Sequence, residues 1–104
     1  MSVLSLTFHT TETIRTDWER YLAKDLFEMV ENLIDVQKYI LSEVESDMID
    51  EGSNTNLLLI FDDTEKRQDF VEIELLNITD RIEKKFGQHA MIFTTYLNPK
   101  KVRF

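Results

Sequence analysis

The apolar residues of this chain recur with two different periods. The order of those periods restricts the fold more than any other feature. Leu4, Leu6 and Phe8 alternate with Ser5, Thr7 and His9 from Val3 to His9, the period-two signature of a half-buried strand. Ile14, Trp18, Tyr21, Leu22, Leu26, Met29, Val30 and Leu33 then step by three and four, which lays one wide stripe along a helix. Thr10, Thr11 and Thr13 stand ready to cap it. A second strand is expected to start near Gln37. After a loop at Asp50–Asn54, a third runs from Asn56 to Phe61 and is apolar at Leu57, Leu58, Leu59, Ile60 and Phe61. A strand apolar on both parities is expected to be covered on both faces. Asp62 with Glu65 reads as a capping box. The helix after it has an inner stripe of Val71, Leu75, Ile78, Ile82 and Phe86, with Phe70 at the margin. Lys84 and Lys85 suit its negative end, and Gly87 supplies the left-handed stop. A last strand, His89 to Leu97, ends before Pro99.

The order βαββαβ is the split βαβ arrangement of ferredoxin-like folds, an α+β class. Right-handed crossovers put strands one and three at the centre of a four-stranded antiparallel sheet, with both helices on one face. The other face would hold about half of the third strand's apolar side chains. Soluble monomers rarely leave so large a greasy patch wet. The expectation is a homodimer packed sheet on sheet.

A chain of 104 residues is one domain, taken as residues 1–98 with a basic tail at 99–104. Twenty acids against twelve bases leave a net charge of -8, which repels a phosphate backbone and argues against nucleic acid as a partner. No apolar stretch has the ~20 residues a membrane helix needs, and the first residues do not read as a secretory signal. With no cysteine there are no disulfides and no thiolate metal sites, which fits a cytoplasmic location.

The chain also resembles a bacterial family with a domain of unknown function in the ferredoxin-like dimeric α/β-barrel superfamily. The resemblance rests on Trp18 with Tyr21 and Leu22 in the first helix. It rests too on Lys85-Phe86-Gly87 ahead of Phe93-Thr94-Thr95-Tyr96-Leu97, and it spans Val3 to Leu97. It implies the dimeric α/β barrel and no established activity. The acidic run from Glu43 to Glu51 departs from it. Wider relatives include cofactor-free monooxygenases and haem-degrading oxygenases. The haem type implies a His on the second helix and an Asn on the first strand, and this chain has neither.

Candidate ligand-binding residues are Ser5, Thr7, His9, Trp18, Thr94 and Tyr96. His9 is the one candidate for proton transfer, and no cofactor is expected. His89 reads as a loop histidine, and the two histidines lack metal-ligand spacing. Glu43, Glu45 and Asp47 point off one strand face, as charges that keep an edge strand from pairing further. The function expected is small-ligand binding or protein interaction without catalysis. The alternative is a cofactor-free monooxygenase-like or isomerase-like enzyme acting on a small apolar or aromatic molecule. An enclosed pocket of several hundred Å3 between helices and sheet would favour the enzyme; a filled interior, which is expected, favours the module.

Overall fold

The computed structural model describes residues 1–46 and 51–103. Strands β1 (Ser2–Thr10), β2 (Lys38–Glu43), β3 (Ser53–Phe61) and β4 (Ala90–Leu97) form one sheet in the order β2-β3-β1-β4, every neighbouring pair antiparallel. Strands one and three are central, as the crossover rule requires. The expected strand alignment at Glu43, Glu45 and Asp47 is met only by Glu43. Glu45 follows the end of β2, and Asp47 lies outside the described residues.

Alternation along β1 decides which side chains meet the helices. Leu4, Leu6 and Phe8 are fully buried, and the register sets them beside Leu59, Leu57 and Thr55 of β3. Ser53 and Asn54, expected in a loop, are the first residues of β3, paired with Thr10 and His9. Gly52 makes that entry possible. Its φ is +79°, and a Cβ there would stand 2.0 Å from the Thr10 carbonyl oxygen, so no other residue fits without a shift.

The first helical arm is not one straight helix. After a 3-10 turn at Glu12–Ile14, α1 (Arg15–Tyr21) passes into a π turn at Leu22–Leu26 and then into α2 (Phe27–Glu31). The buried row explains the π turn. Ile14, Trp18, Leu22, Leu26 and Val30 step by four, and in an α-helix each such step drifts by about 40°. The looser winding of the π turn takes that drift back and keeps the row on the sheet. The expected threonine caps do not form. Thr11 precedes the 3-10 turn without capping it, and its hydroxyl instead meets His89 Nδ1 at 2.9 Å.

The second arm is broken as well. Helix α3 (Thr64–Glu72) and α4 (Glu74–Phe86) meet at Ile73, whose φ and ψ of -117° and -67° leave the regular helix. The break turns Phe70 fully inward, and Val71, expected in the inner stripe, is only half-buried. The cap is Asp63 rather than Asp62: its carboxylate accepts from Lys66 N at 2.8 Å, while Asp62 pairs with the Lys66 ammonium at 3.1 Å. Gly87 ends α4 with φ +58°.

Candidate functional site

The centre of the space between helices and sheet, where a filled interior is expected, is packed. Trp18 lies with its ring centroid 5.5 Å from Phe8, 5.8 Å from Tyr21 and 5.5 Å from Phe86. Phe61 meets Phe70 at 5.4 Å. Such stacked, tilted and edge-on contacts add to area burial and fix the rings against one another. The Trp18 indole N–H donates to Thr55 Oγ1 at 3.3 Å, so its one polar atom is satisfied inside the core. Trp18 is thus chiefly a core residue. It also lines a cavity of about 250 Å3 between the first helical arm and the β2–β3 side of the sheet, with Leu22, Leu41 and Thr55.

Among the described residues no helix covers the opposite face of the sheet. A row of polar side chains crosses its middle. Asn56 Nδ2 donates to Ser5 Oγ at 2.8 Å and to Thr7 Oγ1 at 3.2 Å, and His9 Nδ1 pairs with Asn54 Oδ1 at 2.6 Å. An amide oxygen only accepts, so Nδ1 is the donor in this pair. Apolar side chains flank the row: Ile40 on β2, Leu58 and Ile60 on β3, and Met91, Phe93 and Leu97 on β4. Ile40, Met91 and Phe93 are each more than half exposed.

The six residues singled out by sequence therefore do not share one site. Ser5, Thr7 and His9 stand on the open face. Thr94 and Tyr96, which pair with Leu6 and Leu4, belong to the helix side with Trp18. The parity of β4 separates them, and parity in β4 follows from a register the sequence does not display. Among the described residues the one side-chain hydrogen bond of His9 is that to Asn54. Ser5 lies four residues along the same strand, ~13 Å away, and its hydroxyl is engaged with Asn56. Among the described residues no group of three or more His, Cys, Asp or Glu is arranged to hold a metal.

Arg67 was not singled out by sequence. It is nearly buried, and its Nη1 donates to the Val3 and Leu97 carbonyls at 3.1 Å each and to Asn98 Oδ1 at 3.0 Å. Its guanidinium lies 5.2 Å from the Tyr96 ring centroid. A cation reaching from α3 thus ties the paired ends of β1 and β4. Tyr21 sits where the helical arms meet, its phenol pushed above its ordinary pKa by burial and by Asp25, with Arg81 opposing.

Solved structures of this shape are numerous. An ethyl tert-butyl ether d (EthD) family protein from Bacillus halodurans superposes with a TM-score of 0.69 at 11% identity, covering 91% of this chain and 97% of the other. A dimeric ferredoxin-like protein from an uncultured marine organism gives 0.62 at 14%, covering 100% and 99%. SnoaB, a cofactor-independent oxygenase from Streptomyces nogalater, gives 0.62 at 9%, covering 97% and 95%. At these identities the likeness establishes the ferredoxin-like fold. No curated protein matches the chain. Among the described residues no helix is long and apolar enough to cross a membrane. One family model matches residues 1–100, so the chain belongs to the family described as Domain of unknown function (DUF4286).

Proposed function

We propose that the protein works as a homodimer, with the open sheet faces of two copies packed together, and that this dimer binds a partner or a small neutral ligand without catalysis. The open face carries the reading: exposed Ile40, Met91 and Phe93 surround a polar row already satisfied within its own sheet. Burying such apolar surface stabilises by ~25 cal/mol per Å2, while the paired polar groups limit the cost of desolvation. The dimeric ferredoxin-like protein of the same shape supports it. Ser5, Thr7 and His9 offer hydroxyls and an imidazole, and among the described residues no carboxylate pairs with them, which suits an uncharged ligand. Trp18, Thr94 and Tyr96 would serve a separate contact on the helix side. A cysteine-free composition supports placing the protein in a bacterial cytoplasm.

An oxygenase-like or isomerase-like reading needs room between helices and sheet for a small apolar or aromatic substrate. The ring cluster of Phe8, Trp18, Tyr21 and Phe86 occupies the centre of that room and weighs against it, leaving a cavity of about 250 Å3 between Trp18 and the β2–β3 side of the sheet. Light scattering at micromolar concentration tests the dimer. Twice the chain mass is expected, falling to the single-chain mass in Phe93→Lys; a native protein that is monomeric would overturn it.

A further inference from the structure

The cavity of about 250 Å3 beside Trp18 is built by one side of the first helical arm and one face of two strands. Arg15, Trp18, Glu19 and Leu22 stand three and four residues apart, so they share a side of the arm. Leu41 and Glu43 alternate along β2. The register sets them opposite Leu57 and Thr55, on the face that meets the helices. The inner lining is apolar: Leu22 and Leu41, both half-buried, lie beside the buried Trp18 ring. The buried Thr55 hydroxyl already accepts from the Trp18 indole. Glu19 and Glu43 are exposed and form the rim.

The polar groups around the cavity differ in how they are satisfied. Ser53 Oγ meets Thr10 Oγ1 at 3.2 Å, and Asn54 Oδ1 accepts from His9. Arg15 is turned toward Glu12, to which its Nε donates at 2.8 Å and its Nη2 pairs as well. That hydrogen-bonded pair with Glu12 raises the Arg15 pKa above its ordinary value, and the charges of Glu19 and Glu43 add to it. Among the described residues the side chains of Glu19 and Glu43 have no ion pair within 4.0 Å. Three carboxylates thus surround one guanidinium, and the surplus negative charge sits at the mouth of an apolar space.

We propose that this cavity binds a small organic amine as its ammonium ion. The apolar body would lie between Leu22 and Leu41, against Trp18, and the charge at the rim between Glu19 and Glu43. The volume falls just below the ~300–1,000 Å3 of sites for drug-sized molecules, so a single ring or a short branched chain fills it. An ammonium has three donors and no acceptor, which suits two carboxylates that only accept. An anionic ligand would meet like charge there, and a neutral one would leave both acids unanswered. The chain's net charge of -8 also gathers cations around it. The indole wall is held by Phe8, Tyr21 and Phe86, so little order has to be gained on binding. The cavity lies on the helix side of the sheet, and the proposal stands whether or not the open faces of two copies pack together.

The test titrates the full chain with three molecules of one shape: phenethylamine, 2-phenylethanol and phenylacetate. Trp18 is the chain's one tryptophan, so its fluorescence reports the cavity directly. The Leu22 and Leu41 methyl resonances locate the ligand. Phenethylamine is expected to bind about tenfold more tightly than 2-phenylethanol, with phenylacetate weakest and both leucines shifted. Glu19→Gln with Glu43→Gln, both at exposed positions, is expected to bring the amine down to the affinity of the alcohol. Binding of the alcohol should stay as it was, which shows the cavity intact. Four results would overturn the proposal: equal affinity for amine and alcohol in the native chain, a preference that survives both substitutions, amine binding that leaves the two leucines unmoved, or no binding of any of the three at millimolar concentration.

Discussion

The two faces of the sheet are made by the same strands and have opposite tasks. On β1, Leu4, Leu6 and Phe8 exclude water completely, while Ser5, Thr7 and His9, one residue away in each case, remain partly open. The covered face is mainly apolar, and rings and branched chains interlock there with helices from both arms. The open face is mixed, a hydrogen-bonded polar row with apolar shoulders. Cohesion needs only apolar shape. Selective contact needs polar groups held in place as well, and the Asn56 and Asn54 amides hold them.

Truncating one phenylalanine on each face separates the two tasks. Phe8→Ala is expected to cost about 3–5 kcal/mol, seen as a lowered midpoint in urea. Phe93→Ala should change the stability of a single chain by under about 1 kcal/mol, because half of that ring is already wet. Its effect should appear in the mass of the assembly instead. Equal losses from the two would erase the contrast. Arg67→Met comes next, with about 1.5–3 kcal/mol expected from removing charge-assisted bonds to the strand ends. Hydrogen exchange at Val3 and Leu97 should rise more than at the strand centres. Asp63→Ala, on neither face, should cost about 1 kcal/mol through its lost cap and leave the assembly mass unchanged.

The covered face was legible in the sequence because burial there repeats with the period of each element. Leu4, Leu6 and Phe8, and Leu75, Ile78, Ile82 and Phe86, announce themselves by spacing alone. The open face was legible as a surplus of apolar strand residues, but not as an arrangement. Thr94 and Tyr96 resemble Ser5 and Thr7 in composition, and only the β1–β4 register places them on opposite sides. Ser53 and Asn54 read as loop because they are polar, whereas they are strand because His9 and Thr10 give them a ladder. Arg67 escaped notice because a lone arginine in a charged helix looks solvated. Its burial depends on carbonyls thirty and more residues away. Asp62 and Asp63 are equivalent as candidate caps until the backbone chooses where the helix starts.

The π turn at Leu22–Leu26 carries a further consequence. Evolution by insertion or deletion is commonly tolerated at surface sites, yet this arm has a fixed residue count. Excising a single position there would let the rod wind evenly, with every backbone bond content, and would swing Val30 and all beyond it by about 100°, more than a quarter of a revolution. The buried side beyond the deletion would then leave the sheet, so the extra residue works as a gearing tooth that holds the two ends of the arm in phase.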